Sequence, residues 1–469
     1  MSLVLIVSIV IKVFGAALEI VNQAMITNCV GMDAYGDYSF YITIAEIVYW
    51  VLFSSIVKCN TFYLSDKTKG ISSYKKHYYF HFTLPVLLLA VGVSLVLRQY
   101  ALSLAVVILI PYILMYDRSS TLMARGHYTE ALIGEYTIGR LVNCIGIVIL
   151  MLTDSMSLMG LLLCYFIGYI AILLYFFAMQ KLRRKKDILE SEQIAISGKK
   201  AVMFQVSDMT TAAVDKAPIV LQYLFVDAYT AGFVSIIVLV KRLVSFVTGP
   251  TAKVFMPEFA RLYKAGDKQG LRRFYGLVMR IQMLFISCLC IPMLVFPKTL
   301  LGIFDDTILQ YESLFRIVAL IFLLMTTLGP CTSLLQMTGQ EKKDNIIKIT
   351  SIVIMLFVWF ILRNNPLFTL YGLCAQLLVE IIPKFILICI YFRNLPQPIH
   401  KYIWMWVPVA LVWLIAFFTH IPDTFLWMVA AEVVMLLLTA GTMLLDKDIR
   451  VAVLSRLHRK QKTADQDRP

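Results

Sequence analysis

Long apolar segments recur along the whole chain and constrain its fold more than any other feature. A helix needs about 20 residues to cross a bilayer, and the sequence offers about fourteen segments of about 17–25 residues. Of all residues, 60% are hydrophobic and 15% are charged, which leaves too much apolar surface for a soluble chain. The sequence therefore predicts an all-α, polytopic membrane protein and not a β-barrel. The approximate limits of the predicted spans are 3–27, 38–57, 78–97, 100–116, 130–152, 157–179, 201–226, 230–253, 274–296, 313–336, 344–362, 367–391, 402–419 and 424–445.

The charges between the segments predict how the chain is oriented. The net charge is +14, and Lys and Arg gather in alternate loops, as they do in the cytoplasmic loops of membrane proteins. The loops at 58–76, 181–200 and 261–273 are basic, whereas those at 28–37 and 305–312 are acidic. This alternation predicts that both termini are cytoplasmic. The first segment has no basic region before it and no obvious cleavage site, which favours an uncleaved span over a signal peptide.

The two halves of the sequence resemble each other at two pairs of segments. The triplet DAY opens the second span at 33–35 and the eighth at 227–229, and TLMARGHYTEAL near 121–132 matches SLLQMTGQEKKD near 333–344. The matches predict two parallel six-helix repeats plus a C-terminal helix pair, and parallel repeats are typical of transporters. The predicted parts are an N-terminal bundle at 1–180, a basic linker at 181–200, a second bundle at 201–395, an extra helix pair at 396–446 and a basic tail at 447–469.

The seventh span is the most polar of the fourteen. It carries Asp208, Asp215, Lys216 and Gln222, and three of these residues are seven apart on one helix face. A charge at bilayer depth costs at least roughly 2.5–3.5 kcal/mol, so such side chains face protein or water. They either line a polar cavity or form a buried ion pair that fixes one helix against another.

Basic residues inside other spans are candidates for binding an anionic group such as a pyrophosphate. Two alternatives remain open: Lys241 and Arg242 can pair with Glu46 or Asp215, and Arg280, like Arg316, can reach the headgroups from a span end. Glu380 and Lys384, four apart, can neutralise each other. The candidate substrate-binding residues are Lys12, Arg140, Lys241, Arg242 and Arg280. The nine cysteines are scattered without a metal or redox spacing, so no metal and no cofactor are expected.

Several segments, in order, resemble a known family. They are the opening helix followed by MDAYGDYSFYITIAEIVYW, the run VFMPEFARLYKAGDKQGLRRFYGLVMRI after the eighth span, ARGHYTEA and MTGQEKKD after spans four and ten, and YGLCAQLLVEI at the start of span twelve. Over nearly its whole length the chain resembles the polysaccharide-biosynthesis, O-antigen-type oligosaccharide flippases of the multidrug/oligosaccharidyl-lipid/polysaccharide (MOP) exporter superfamily.

The resemblance implies two six-helix bundles in a V around a central cavity that opens to each side in turn. It implies a multi-pass protein of the bacterial cytoplasmic membrane that moves undecaprenyl-pyrophosphate-linked oligosaccharide to the outer leaflet, without being an enzyme, for O-antigen or exopolysaccharide synthesis. The implied partners are membrane lipid, a polysaccharide polymerase and glycosyltransferases, and no nucleic acid. It also implies coupling to a proton or Na⁺, for which the candidate residues are Glu19, Glu46, Asp208 and Asp215.

Four other functions remain as alternatives. A cation-coupled multidrug antiporter of the same superfamily has twelve spans and an acidic cavity, and a lipid II flippase shares the fourteen spans. A membrane glycosyltransferase or polysaccharide polymerase needs a large outward loop or a carboxylate motif, and the outer pair Asp305-Asp306 is better interpreted as a solvated turn. A purely structural partner in a glycan-assembly complex would leave the charges inside the spans unexplained.

Overall fold

The computed structural model describes residues 2–63, 69–70, 84–183, 192–193, 198–418 and 423–445. Within these ranges the description excludes the side chains of residues 2–10, 58, 61–63, 69–70, 182–183, 192–193, 198–204, 206–208, 210–211, 246–255, 257, 405, 408–409, 413, 416–418 and 443–444. The predicted basic tail, most of the predicted linker and the first part of the third predicted span lie outside the described residues, as does the side chain of Asp208.

The described chain forms seventeen α-helices. The first eight are α1 Ser2–Leu52, α2 Ser55–Tyr63, α3 Leu84–Val96, α4 Tyr100–Ala124, α5 Tyr128–Ile133, α6 Gly139–Leu152, α7 Leu158–Arg183 and α8 Gly198–Phe225. The others are α9 Ala228–Lys264, α10 Lys268–Val295, α11 Pro297–Gly302, α12 Glu312–Thr327, α13 Cys331–Met337, α14 Glu341–Ile361, α15 Phe368–Phe392, α16 Ile399–Phe418 and α17 Phe425–Leu445.

Three short elements complete the secondary structure of the described residues. A π-helix at Gly134–Ile138 joins α5 to α6, and a 3₁₀-helix at Asp306–Tyr311 precedes α12. Two-residue strands, β1 at Lys69–Gly70 and β2 at Glu192–Gln193, pair in parallel with Lys69 opposite Glu192. The side chain of Asp305 accepts the amide N–H of Thr307 and so caps the 3₁₀-helix.

To within a few residues, the described part of every predicted span lies in these helices, and the spans at 38–57, 130–152 and 313–336 each extend over more than one of them. Ten helical segments in the described chain are long and apolar enough to cross a membrane, and the first, at 11–52, has 42 residues and is long enough to cross twice. The remaining three predicted spans correspond to α3, α8 and α16. The prediction of an all-α, multi-pass membrane protein is confirmed.

Helix α1 covers the first two predicted spans and is interrupted between them. Gly31 has a φ of 79° and a ψ of 171°, a non-helical conformation that glycine adopts without the steric cost that a Cβ brings. The helix therefore breaks within the acidic segment at 28–37, where the sequence predicts the boundary between the two spans, although helical structure continues on both sides of Gly31.

The chain divides into two compact units. The first, unit 1, comprises Met1–Leu239 and Arg363–Leu370. In its core the buried residues Tyr49, Phe53, Tyr112 and Phe176 bring α1, α4 and α7 together, and α1 also packs along α8.

The two DAY segments meet inside unit 1. A Cβ on Gly36 would lie 1.8 Å from the carbonyl oxygen of Ala228, so only glycine permits this approach of α1 to α9. The two stretches that look alike in the sequence are thus neighbours in space.

The second unit, unit 2, comprises Val240–Leu362 and Tyr371–Pro469. Helix α10 packs against α12, α16 and α17. The long apolar segment at 306–337 is broken between α12 and α13 at Gly329, whose φ is 82°, and at Pro330. The hydroxyl of Tyr275 donates to the carbonyl of Leu328 at 2.6 Å, which satisfies an acceptor that the break leaves without a helical partner.

The boundary between the units lies inside α9, whereas the predicted repeats meet in the linker at 181–200. A compact unit and a sequence repeat are different divisions of the chain. The predicted six-helix repeats therefore stay a prediction.

Candidate functional site

The π-helix at Gly134–Ile138 lies at the centre of the candidate site in unit 1. π-Helical turns inside longer helices are rare and occur often at functional sites. A Cβ on Gly15 would lie 2.2 Å from the carbonyl oxygen of Tyr136, so α1 and the π-turn touch through their backbones. The turn and the polar face of α1 thus lie directly against each other.

An ion pair bridges these two elements. The Arg140 guanidinium lies 2.6 Å from Glu19 Oε2 through Nη2 and donates a second hydrogen bond through Nε at 3.0 Å. Its Nη1 donates to the carbonyls of Tyr136 at 3.0 Å and Glu135 at 3.3 Å. Since a π-turn displaces backbone carbonyls from their usual partners, the guanidinium supplies the donors that they require.

Asn22 extends this network along α1. Its Nδ2 donates to the backbone carbonyl of Arg140 at 2.9 Å. The side chains of Arg140 and Glu19 are only 19% and 13% exposed. The pair therefore lies in a mostly desolvated position, where both its formation and its rupture carry a larger free-energy change than at a surface.

Two of the five predicted substrate-binding cations meet at the ring of Tyr136. Lys12 Nζ lies 5.3 Å and Arg140 Cζ 5.2 Å from the ring centroid, within the range of a cation–π interaction. Lys12 of α1 and Arg140 of α6 thus contact the same ring.

A second ion pair joins α1 to α8. Lys216 Nζ pairs with Glu46 Oε2, and their side chains are 10% and 12% exposed. The sequence left Glu46 open as a partner of Lys241 or Arg242, and the structure gives it Lys216. Asp215 is half-buried beside Lys216.

Gln222, the third of the polar residues spaced by seven on α8, is held by hydrogen bonds within unit 1. Gln222 is fully buried, accepts from the hydroxyl of Thr369 at 2.6 Å, and donates to Thr230 at 2.9 Å and to the carbonyl of Pro366. It fastens the segment at 363–370 within unit 1. Among the three residues spaced by seven on this helix, Gln222 therefore has a packing role.

A row of aromatic rings, which the sequence interpretation missed, extends from α7 across α4 to Tyr49 of α1. Ring centroids are 4.9 Å apart for Tyr165–Tyr169, 5.1 Å for Tyr169–Tyr112, 5.0 Å for Tyr112–Tyr116 and 4.9 Å for Tyr116–Tyr49. The signal was present as tyrosines spaced by four on two helices. Tyrosine rings carry an apolar face and a hydroxyl, so the row offers both stacking and hydrogen bonding.

The other three predicted cations belong to unit 2. Lys241 and Arg242 are half-buried on α9. Arg280 is 5% exposed on α10, and its Nε donates to the carbonyl of Gly276 at 3.2 Å. Its burial speaks against the alternative that Arg280 reaches the headgroups, whereas Arg316 is exposed.

The predicted Glu380–Lys384 pair is present in unit 2, with Lys384 Nζ 2.6 Å from Glu380 Oε1. A third member, Asp344, lies 2.8 Å from Lys384. The sequence interpretation did not single out Asp344, which is the first residue of the predicted span at 344–362 and directly follows Lys342 and Lys343.

Comparison with known proteins shows the fold. No family model and no curated protein match the sequence. Among solved structures, the lipid II flippase MurJ in an inward closed conformation superposes with a TM-score of 0.66 at 13% identity, covering 94% of this chain and 99% of that one. An inward-facing MATE-family multidrug resistance transporter of the MOP superfamily gives 0.62 at 11% identity, covering 83% and 98%.

A third structure, a complex of the MATE multidrug transporter DinF-BH, gives a TM-score of 0.56 at 14% identity and covers 83% of this chain and 95% of its own. All three superpositions extend over nearly the full length of the known structure. The chain therefore has the fold of the MOP superfamily transporters.

Proposed function

We propose that the protein is a flippase that moves an undecaprenyl-pyrophosphate-linked oligosaccharide from the cytoplasmic to the outer leaflet of a bacterial cytoplasmic membrane, by alternating access, for cell-surface polysaccharide synthesis. The observation that carries the proposal is the pair of cations at Tyr136 beside the row of tyrosines, inside helices long enough to cross a membrane. A pyrophosphate requires cations and a glycan benefits from aromatic rings, and unit 1 offers both.

The coverage of the comparisons favours a flippase over a drug antiporter. The superposition on the lipid II flippase covers 94% of this chain, whereas those on the two multidrug transporters cover 83%. A difference of this size is what an additional helix pair at 396–446 produces. A chain with that pair has more lipid-facing surface than a twelve-span transporter.

In the proposed mechanism Arg140 alternates between two anions. Glu19 neutralises Arg140 when no substrate is bound. When a pyrophosphate binds Arg140 and Lys12, Glu19 takes up a proton, because an ionised carboxylate beside the new anion is repelled. Glu19 and Glu46, with Asp208 and Asp215, are thus the proposed coupling residues in this part of the chain, and Lys241, Arg242 and Arg280 are proposed to bind the head group in unit 2.

The polysaccharide polymerase and the glycosyltransferases that make and consume the lipid-linked glycan are the proposed partners. Glycosyltransferase genes next to the gene for this chain would support the proposal, since a drug antiporter has no need of them.

The test uses the purified protein in liposomes with a lipid-linked oligosaccharide that carries a reducible fluorophore on its sugar. Dithionite in the external buffer bleaches only the outer leaflet, so its bleaching rate after the first phase reports transfer between leaflets. The proposal predicts protein-dependent transfer of this substrate and no transport of the cationic dye ethidium. Transport of ethidium alone identifies a drug transporter, and preference for equally labelled lipid II identifies a lipid II flippase.

Variants of the site sharpen the test. Lys12→Ala and the double variant Lys241→Ala with Arg242→Ala are expected to slow transfer by about tenfold or more, which corresponds to about 1.4 kcal/mol per lost contact. The control is Arg316→Ala, which removes an exposed arginine from a span end. Unchanged transfer in both site variants contradicts the proposed anion binding.

A further inference from the structure

A single lysine lies between two carboxylates inside unit 2. Lys384 Nζ is 2.8 Å from Asp344 Oδ1 and 2.6 Å from Glu380 Oε1, and it donates to the hydroxyl of Thr332 at 3.0 Å. Three oxygens thus surround an ammonium group that carries three protons. The side chains of Lys384 and Asp344 are 0% exposed, so one buried positive charge serves two negative ones.

Asp344 has further donors. Gln336 Nε2 donates to its Oδ2 at 3.2 Å, and Lys348 Nζ lies 3.4 Å from the same atom. The Lys348 side chain is 39% exposed and hydrated. Asp344 is thus well stabilised as an ionised carboxylate.

Glu380 is less well compensated than Asp344. Among the described residues its polar partners are Lys384 and Gln376, whose Nε2 donates to Glu380 Oε2 at 2.7 Å. Its side chain is 25% exposed, unlike that of Asp344. The carboxylate that shares its cation is therefore also the one that is partly exposed at the surface of its helix bundle.

The carboxamide of Gln376 has an oxygen atom without a hydrogen-bond donor in the described part of the chain. Gln376 is 1% exposed, and its Nε2 donates to Glu380 and, at 3.3 Å, to the hydroxyl of Ser351. Its Oε1 is buried without a hydrogen-bond donor among the described residues. A buried carbonyl oxygen without a donor is costly. Half a turn of the carboxamide would direct that oxygen to Glu380, which can donate to it only when protonated.

We propose that Glu380 is a proton-binding site of the transport cycle, which rests on the proposed function. A proton from water binds Glu380 Oε2, the carboxamide of Gln376 turns, and its Oε1 accepts the new O–H. Lys384 keeps its contacts with Asp344 and Thr332, so the buried charge becomes balanced and no covalent bond other than the new O–H is made.

The charged and titratable groups around this site come from three helices. They are Asp344 and Lys348 on α14, Cys331 on α13, and Lys384 on α15. The proposal concerns the carboxyl group of Glu380, which belongs to unit 2, whereas the acids proposed above for coupling belong to unit 1.

The first experiment needs no transported substrate. Infrared difference spectra of the purified protein in liposomes, recorded while the pH is changed, report the carbonyl stretch of protonated carboxyl groups. Every carboxyl group that takes up a proton contributes to this band, so we expect Glu380→Gln to lose one component of the pH-dependent band that wild-type protein and Glu258→Gln retain. Glu258 is the matched control, because it pairs with Arg261 at 2.6 Å but outside the apolar span at 228–245. The same band in all three proteins overturns the proposal.

The second experiment measures leaflet transfer under an imposed pH difference. For one coupled proton, the leaflet ratio of the lipid-linked substrate shifts by up to about tenfold per pH unit in wild-type protein and in Glu258→Gln. Glu380→Gln is expected to lose this shift. A retained shift in Glu380→Gln overturns the proton site. Absence of any transfer in wild-type protein contradicts the proposed function and leaves the infrared result to decide the proton site alone.

Discussion

Arg140 and Glu19 lie 121 residues apart in the sequence, and their side chains meet at 2.6 Å in unit 1. The arginine belongs to the helix that follows the π-turn and the glutamate to the kinked first helix. The pair joins a predicted substrate-binding residue to a predicted coupling residue. One contact thus connects the two proposed roles, since a change in charge at either side chain changes what the other can bind.

The Arg140–Glu19 pair should show a measurable coupling energy. Replacing Arg140 by Met removes the guanidinium from Glu19 and from two backbone carbonyls, and we expect a loss of about 1–3 kcal/mol, between the values for exposed and buried pairs. The double variant Arg140→Met with Glu19→Gln should be more stable than the single variant, because no carboxylate is left at the site. Thermal unfolding in detergent micelles measures both. Additive effects of the two substitutions would show that the side chains do not interact.

The contact between α1 and the π-turn depends on a glycine. Gly15→Ala places a Cβ 2.2 Å from the carbonyl oxygen of Tyr136, so the helices must separate, and we expect a loss of about 1–3 kcal/mol. The matched control is Gly441→Ala in α17, where no atom lies within 4 Å of the added Cβ. There the higher helix propensity of alanine should leave stability unchanged or raise it by up to about 1 kcal/mol. Equal unfolding temperatures for both variants would contradict the close approach.

Helix positions could be predicted from the sequence because hydrophobicity and length decide which segments cross a membrane. All fourteen predicted spans correspond to helical segments, and the pairing of Glu380 with Lys384 followed from their spacing of four. A break between the first two spans was predicted at 28–37 and is present at Gly31, whereas the sequence did not show that helical structure continues directly on both sides of this residue.

Partners that are distant in sequence could not be predicted in the same way. Lys216 and Glu46 are 170 residues apart, so their pairing depends on how α8 packs on α1. The pairing of Asp344 with Lys384 could not be predicted for the same reason. Its burial follows from the packing of α14 on α15 and not from its own sequence neighbours, which are charged. Helical periodicity shows which face of a helix is polar, but not which helix covers that face.

Gln222 should stabilise unit 1 through its three hydrogen bonds. Gln222→Leu keeps the volume but leaves the carbonyl of Pro366 and the hydroxyl of Thr369 without this partner in a buried position. We expect a loss of about 1–3 kcal/mol for each group that stays unsatisfied. Gln310→Leu, at an exposed position in the 3₁₀-helix before α12, is the matched control and should change stability by less than about 0.5 kcal/mol. An unfolding temperature of Gln222→Leu equal to that of the control would contradict this role.

The aromatic row should depend on its rings more than on its hydroxyls. Tyr169→Leu removes edge-to-face contacts with Tyr165 and Tyr112, each worth about 0.5–1.5 kcal/mol. Tyr169→Phe keeps both contacts and loses only the 3.0 Å hydrogen bond to the Tyr165 hydroxyl. We therefore expect the leucine variant to be the less stable one and to transfer the lipid-linked glycan more slowly. If phenylalanine impairs transfer as strongly as leucine, the hydroxyl and not the ring contacts the glycan.

Removal of the shared cation in unit 2 should make stability depend on pH. Lys384→Met leaves Asp344 and Glu380 close together without the buried ammonium, and breaking a buried pair in this way costs about 3–5 kcal/mol. In this variant the folded state holds protons on these carboxyls more strongly than the unfolded state does. Because the state that binds more protons gains as pH falls, the variant should become relatively more stable at acidic pH.

Asp344→Asn in the Lys384→Met background removes one of the two negative charges, and it should recover part of the lost stability and flatten the pH dependence. The measurement is the unfolding temperature of the single and double variants as a function of pH, each compared with wild-type protein at the same pH. The amide of asparagine can still accept from Gln336, so the substitution tests charge and not shape. If the unfolding temperature of Lys384→Met depends on pH as that of wild-type protein does, water screens the two carboxylates. Proton binding would then not stabilise the cluster.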